Sequence, residues 1–327
     1  MKDFTGRIAV ITGGGTGMGR ELARALVAEG CNVAMCDVSE KNMVETVRLC
    51  RADGAPQGTR ITTHIADVAD EVQVNRFKSE VARDMETDKV HLLFNNAGIG
   101  GGGSFIADPR EVWERTFSVD WWGVYYCTRA FLPALMAADE ARLVNTSSVN
   151  GFWAAIAPGR PHTAYCTAKF AVKGFSEALI EDFRVHAPHV KVSVVMPGHI
   201  GTSLVANSRR YFGRPEPDDL TESDLVTTRL QLARRGLEVE QLEPDQVRKI
   251  VKTLEKAFID RAPLDAAGAA TIILDGIRAG KWRILVGDDA GELDRQVRAD
   301  PEAAYDHAGV GIDPLNAKVI LEQEPIA

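Results

Sequence analysis

The sequence predicts an α/β protein built on a doubly wound parallel sheet of about seven strands. Short β-branched or apolar runs alternate with amphipathic helical segments along most of the chain. Parallel strands need such crossover helices, which bury both faces of a sheet. A glycine-rich turn, "TGGGTGMG", follows the first run and opens the first helical segment. No internal repeat or low-complexity linker interrupts the rhythm, so residues 1–327 read as a single domain.

In chain order the strand runs are "IAVIT" (8–12), "NVAMCDV" (32–38), "RITTHI" (60–65), "VHLLFN" (90–95), "RLVNTS" (142–147), "KVSVVMP" (191–197) and "RILVG" (283–287). Two regions leave the βα rhythm: a charged insertion at 203–263 and a polar, proline-bearing tail at 288–327. The insertion predicts two helices. One starts with Thr221 and Asp224 at capping-box spacing, although the box prefers Glu or Gln, and stops at Gly236. The other starts at Pro244 and lines up Val247, Ile250, Val251, Leu254 and Phe258 on one stripe. A lid over a site and a cap on the sheet both fit this pattern.

Composition narrows the partners. With 45% hydrophobic residues the chain can bury a sizeable core. A formal charge of −8 and a pI near 5.5 argue against nucleic acid or an anionic membrane surface as the main partner. No apolar run approaches the ~20 residues that span a bilayer. The N-terminus enters a strand without the apolar segment of a signal peptide. Cys31, Cys36, Cys50, Cys127 and Cys166 form no C-x-x-C pair and are odd in number, which fits reduced thiols in a cytoplasmic protein. His186 and His189 are separated by a proline, and no metal site is expected.

In the glycine-rich turn, backbone N–H groups and the first helix N-terminus can hold a pyrophosphate. The turn does not fit G-x-G-x-x-G, because Met18 stands where the last spacing would need glycine; its pattern is T-G-x-x-x-G-x-G. Asp37 closes the second strand 18 residues after Gly19. A carboxylate there accepts the adenosine ribose hydroxyls and repels a 2′-phosphate, and neither Thr16 nor Val38 offers a compensating cation. NAD rather than NADP follows.

Tyr165 and Lys169 in "AYCTAKFAVKGF" are four apart and share a helical face. A phenol with a pKa of about 10 is a poor base at neutral pH unless a cation beside it favours the phenolate. Upstream, "LVNTSSVNG" ends a strand in two serines. Taken in order, "TGGGTGMG" (12–19), "NNAG" (95–98), "SSVNG" (147–151), "YCTAK" (165–169) and "MPGHIGT" (196–202) resemble the short-chain dehydrogenase/reductase family. The resemblance runs clearly over residues 5–202 and more loosely over 262–287.

The resemblance implies a Rossmann-type fold, a homodimer or homotetramer, and a role for each matching residue. Tyr165 is the general acid/base, Ser148 hydrogen-bonds the substrate oxygen, and Lys169 binds the nicotinamide ribose and lowers the phenol pKa. Gly13, Thr16, Gly17, Met18 and Gly19 form the phosphate turn; Asp67 and Val68 contact the adenine; Asn96, Ala97 and Gly98 line the cleft. Pro197, Gly198, Ile200 and Thr202 hold the nicotinamide. The expected activity is hydride transfer between NAD(H) and a secondary alcohol or ketone, with an apolar substrate suited to the insertion. An NADPH-dependent ketoacyl-type reductase and a non-catalytic NAD-binding scaffold are the alternatives.

Two departures from the family pattern stand out. Seventeen positions separate Ser148 from Tyr165, more than the usual dozen or so, which lengthens a rim loop carrying Phe152, Trp153 and His162 as potential substrate contacts. In "SVDWWGVYYC" (118–127), Asp120 occupies the place where the family usually has asparagine, and the match aims it at Lys169 as an altered fourth member of the catalytic set. The same helix is apolar on more than one side through Trp121, Trp122, Tyr125 and Tyr126, so it is expected to be buried on more than one side. Core packing against the sheet would account for this; the family resemblance, in which this helix commonly pairs with its counterpart in a second subunit, implies an oligomer interface instead.

Overall fold

A computed structural model describes residues 1–156, 160–234, 236–306 and residues 317, 320 and 321. Each of the seven apolar runs becomes a strand within one or two residues of its expected bounds. They are β1 (Ile8–Thr12), β2 (Asn32–Asp37), β3 (Ile61–Ile65), β4 (Leu92–Asn95), β5 (Ala141–Thr146), β6 (Val190–Pro197) and, after the insertion, Arg283–Val286. All pair in parallel, in the order β3-β2-β1-β4-β5-β6 followed by Arg283–Val286. Chain direction across the sheet reverses between β1 and β4, which opens a crevice at the carboxyl ends of those two strands.

Helices cover both faces. On one side α1 (Gly17–Ala28) and the helix Ala266–Arg278 bury Leu22, Leu26, Ile273 and Ile277 against β1 and β2. α2 (Glu40–Ala52) adds Met43 and Cys50 to this side, and on the other α3 (Glu71–Asp84) brings Phe77 against Phe131, ring centroids 5.3 Å apart. Phe131 lies on α5 (Gly123–Ala137), and α6 (Thr163–His186) adds Phe183 to the same core. Beneath these helices Asn95 Nδ2 donates to Asn145 Oδ1 at 2.8 Å, and Asn145 Nδ2 to Ser176 Oγ at 3.0 Å. This fully buried relay fixes the register of β4, β5 and α6.

The long aromatic helix is interrupted. Between α4 (Arg110–Phe117) and α5 the chain makes a π-helical turn, Ser118–Trp122, carrying Asp120. Such turns insert one residue into an α-helix and shift the direction of the side chains that follow. Heptad-like spacing cannot reveal it, because the residues on either side remain good helix formers.

Among the described residues the insertion holds three helices rather than two. α7 (Leu204–Tyr211) precedes α8 (Glu222–Arg234) and α9 (Pro244–Asp260). α8 starts in the reciprocal box its sequence suggests: the Thr221 N–H donates to Asp224 Oδ2 at 2.9 Å and the Asp224 N–H to Thr221 Oγ1 at 3.4 Å. It ends as expected at Gly236 (φ +79°), with the Leu237 N–H reaching back to the Leu232 carbonyl. Leu225, Leu232, Val247, Ile250 and Leu254 form a core of their own, joined by Ala317 and Ile320 from the tail. A short parallel pair, β7 (Ile200–Gly201) and β8 (Leu264–Asp265), closes the base of the insertion. With these strands counted, Ala266–Arg278 is α10 and Arg283–Val286 is β9.

The tail is not simply polar. α11 (Asp288–Ala299) buries Ala290, Leu293 and Val297, and Asp294 pairs with both Arg283 and Arg298. Most of residues 307–327 lie outside the described residues.

Because the insertion core is separate from the two sheet cores, Ile250→Ala should cost about 2–5 kcal/mol locally. Amide exchange should quicken in α8 and α9 while β1, β4 and β5 keep their protection. Equal loss of protection throughout the sheet would contradict a separate core.

Candidate active site

The crevice at the ends of β1 and β4 deepens into a cavity of roughly 460 Å³. Its floor begins with the glycine turn. Thr16 stands at the N-terminus of α1 without capping it, leaving the first-turn N–H groups facing the cavity. The helix can come this close to the strand because residue 19 is glycine; a Cβ there would lie 2.1 Å from the Gly13 carbonyl oxygen. Thr12 Oγ1 accepts from the N–H groups of Asn96 and Ala97 at 3.0 Å each, so the β4 turn is tied to the end of β1. An open helix N-terminus framed by close backbone approaches fits a diphosphate.

Asp37 closes β2 at the far end of the cavity. Its Oδ2 accepts from the Gly15 N–H and its Oδ1 from the Ser39 N–H, both at 3.0 Å. Burial raises its pKa above the usual carboxylate range, against the opposing pull of those hydrogen bonds and of Arg20. Arg20, which the sequence reading passed over, donates to Thr46 Oγ1 and to the Gly15 and Asn42 carbonyls and does not line the cavity. The Asp37 carboxylate lines the cavity, whereas Arg20 does not.

Nearby, Asp67 Oδ2 accepts from Arg115 and from the Tyr211 hydroxyl, each at 2.9 Å, while Arg115 also lies over the Tyr211 ring. Tyr211 belongs to α7, as do two further anchors. Asn207 Nδ2 donates to Thr16 Oγ1 at 2.8 Å, and Ser208 Oγ accepts from the Gly100 N–H at 2.8 Å. Helix α7 thus straps the crevice, touching the glycine turn, the β4 turn and the Asp67 corner. Sequence reasoning missed these residues; a short segment with mixed polarity gives no periodic signal.

At the other end stand Ser148, Tyr165 and Lys169. Ser148 follows β5 and caps a short 3₁₀ turn through the Asn150 N–H at 3.1 Å; its side chain also hydrogen-bonds Tyr165. Lys169 Nζ reaches the Thr146 carbonyl at 3.2 Å and lies 5.2 Å from the Tyr165 ring centroid. The same ammonium is 2.9 Å from Asp120 Oδ1, on the π-turn. Both partners are buried, Asp120 completely and Lys169 to 3% exposure. At this separation the two form a buried, charge-assisted pair, and the Ile99 N–H also reaches the Asp120 carboxylate. Gly98 makes room for it, since a Cβ there would lie 2.7 Å from Asp120 Oδ1.

Burial raises the Asp120 carboxyl above its ordinary value, and Lys169 together with the Ile99 N–H offsets part of that rise. For Lys169, burial disfavours the ammonium, but Asp120 and Tyr165 outweigh it and the pKa ends raised. Burial also dominates at Tyr165: Lys169 and Ser148 pull the phenol down, Asp120 pushes it up, and the balance lies above the ordinary value. The lowering expected from Lys169 alone is present but outweighed.

Of the expected cofactor residues, all but Gly19 line this one cavity. Gly19 acts from behind it through the close approach to Gly13. The cavity also takes in Asn42, Ile99, Val119, Leu204, Arg210 and Phe258, which the motifs do not include. The lengthened rim loop departs from expectation. Trp153 is buried against Leu293 and Val297, and its Nε1 donates to the Ala304 carbonyl at 2.9 Å, so it props the loop on the tail. Phe152 lies against the Arg283 guanidinium, and neither aromatic lines the cavity. His162 stacks on the Tyr165 ring at 4.7 Å, where burial lowers its pKa to about 4 and keeps it neutral at pH 7. Residues 157–159 of this loop lie outside the described residues.

No metal-holding group of His, Cys, Asp or Glu occurs among the described residues, and all five cysteines are buried and free. No described helix is long and apolar enough to cross a membrane.

Comparison with known proteins agrees with this arrangement. The family model for short chain dehydrogenase matches residues 7–211. The SadH oxidoreductase candidate of Mycobacterium tuberculosis strain H37Rv is 34% identical over 294 residues, covering 90% of this chain and 91% of that protein. Meso-2,3-butanediol dehydrogenase of Serratia marcescens is 31% identical over 274 residues, covering 82% and 96%. Among solved structures, a short chain dehydrogenase/reductase from Burkholderia phymatum in complex with NAD superposes with a TM-score of 0.74 at 27% identity, covering 94% of this chain and 99% of that one. With the strand order, the glycine turn and the Ser148, Tyr165 and Lys169 cluster all in place, the chain belongs to the short-chain dehydrogenase/reductase family of oxidoreductases.

Proposed function

We propose that the protein transfers hydride between NAD(H) and a secondary alcohol or ketone, with Tyr165 as the general acid/base. The observation that carries this reading is the single cavity joining Asp37 and the glycine turn to Ser148, Tyr165 and Lys169. Asp37 favours NAD over NADP, because a carboxylate at the ribose end accepts the ribose hydroxyls and repels a 2′-phosphate. Bound nicotinamide supplies or accepts the hydride at the substrate carbon. Ile99, Val119, Leu204 and Phe258 give the cavity apolar walls that suit an apolar substrate. The buried free thiols agree with a reducing, cytoplasmic setting.

The proton work falls to this chain. Tyr165, held protonated by burial and by Asp120, donates its proton to the carbonyl oxygen as that oxygen gains charge, and takes it back in the reverse direction. Ser148 donates a hydrogen bond to the same oxygen and orients it. Lys169 remains an ammonium, since Asp120 and Tyr165 outweigh its burial, and holds positive charge beside the phenol. Wall residues exclude water and so strengthen each of these interactions.

The reading extends to assembly. Trp121 packs edge-on against Phe175 at 5.4 Å, and Trp122 stacks on Tyr126 at 5.8 Å. In the single chain Trp122 stays 39% exposed, an aromatic cost that a second copy would relieve. We assign this face to a homo-oligomer interface.

Three outcomes follow. Tyr165→Phe should lower turnover by roughly 10²–10⁴-fold while NADH fluorescence titration finds cofactor binding intact; an active Phe variant would remove Tyr165 from the acid/base role. Asp120→Asn deletes a negative charge that raises the phenol pKa, so the pH–rate limb of alcohol oxidation should move to lower pH. Its turnover should stay within about tenfold, or 1.4 kcal/mol of barrier; an upward shift of that limb, or a much larger loss, would make the carboxylate a direct participant. Sedimentation of Trp122→Glu should give a smaller species than the parent protein, and an unchanged oligomer would place the interface elsewhere.

A further inference from the structure

The charge around the cavity is unevenly distributed. Asp37, Asp67 and Asp120 all line it, whereas its lining cations are Lys169 and Arg210. Lys169 is committed to Asp120 and to the Thr146 carbonyl at the Tyr165 end. Arg210 is left, and the motifs give it no role.

Its position follows from the α7 strap. Arg210 Nη1 donates to Asn207 Oδ1 at 3.2 Å, and the amide nitrogen of that same Asn207 donates to Thr16 Oγ1 at 2.8 Å. The guanidinium therefore stands one side chain away from the open N-terminus of α1. Glu216 Oε1 accepts from Arg210 Nε at 2.6 Å and holds the guanidinium from one edge. Glu216 is well placed for this, because Arg210 and Arg209 lower its pKa to about 2 and keep it ionised. Nη2 makes no hydrogen bond among the described residues. The neighbouring Arg209 differs in kind: it is largely buried and is spent on Glu255, Glu216 and the Pro215 carbonyl. Of two adjacent arginines, one is built into the insertion and the other lines the cleft, half-exposed, with part of its fork free.

We propose that Arg210 is a diphosphate-binding residue, reaching from α7 to the phosphoryl oxygens of the dinucleotide held at the α1 N-terminus. Planar guanidinium groups suit phosphate oxygens, and a charge-assisted bond to one is stronger than a neutral bond. In this arrangement Asn207 and Tyr211 close the strap, and Arg210 gives it affinity for the anion beneath. The proposal rests on the NAD(H) reading above and adds to it a residue outside the glycine turn.

The test compares Arg210→Gln, Arg210→Lys and the parent protein by fluorescence titration with NADH and with NADPH, and by competition with ADP-ribose and with adenosine, at two salt concentrations. For Arg210→Gln, dissociation constants for NADH and ADP-ribose should rise about tenfold. Adenosine, which has no phosphate, should bind unchanged. Arg210→Lys should recover part of the loss, and the salt dependence of NADH binding should weaken in Arg210→Gln. Equal losses for ADP-ribose and adenosine would mean that Arg210 merely holds α7, and unchanged ADP-ribose binding would also overturn the proposal. A loss confined to NADPH would place the guanidinium at the ribose 2′ position instead. If the parent protein itself fails to bind NADH, the cofactor reading falls and this proposal with it.

Discussion

The cleft is organised around one buried ion pair, Lys169 with Asp120. Removing two charges from water costs several kcal/mol per ion unless close partners compensate, and here the structure around the pair is shaped to supply them. The π-turn at Ser118–Trp122 carries Asp120 into the interior, while Trp122 on the same turn remains partly exposed. Gly98 keeps the β4 turn clear of the carboxylate, and the Thr146 carbonyl at the end of β5 receives the ammonium. One pair thus joins the π-turn, two strand ends and α6. Leaving either charge alone would strand the other with almost no exposure to solvent.

The pair also sets the electrical balance at Tyr165. A lysine beside a phenol is usually read as a device for making phenolate, but Lys169 is shared with Asp120, and burial raises the phenol further. The resting site therefore keeps its proton on the tyrosine. The proposed function divides affinity and chemistry along the cleft: the glycine turn would hold the diphosphate and Asp37 the ribose, while Ser148, Tyr165 and Lys169 at the opposite end would handle the proton. The α7 strap spans these regions through Thr16, Gly100 and Asp67.

Much of this was legible in the sequence, and the remainder was not, for physical reasons. Strands buried on both faces, such as β1 and β4, write themselves as short apolar runs, whereas the edge strand β3 shows only as a β-branched run that stays partly exposed. The glycine turn and the Tyr165–Lys169 spacing are local patterns that depend on backbone geometry and a helical period, so they could be placed before any coordinates. The π-turn has no such period, because its neighbours look like ordinary helix. Helix α7 is stabilised by contacts more than a hundred residues away, which leave no mark in its own eight residues. Trp153 looked like a substrate contact because the tail that buries it lies about 150 residues further along the chain. The tail itself looked polar because its helix buries only one narrow face.

The central claim is that burial and Asp120 together outweigh Lys169 and hold Tyr165 protonated in the ligand-free protein. The most direct measurement is an NMR titration of the cofactor-free protein labelled with ¹³C at the tyrosine ζ carbon, with the Tyr165 signal identified by its loss in a Phe variant. The account predicts a Tyr165 midpoint above the ordinary phenol value of about 10. A midpoint near neutrality would contradict it and return the phenol to the control of Lys169 alone.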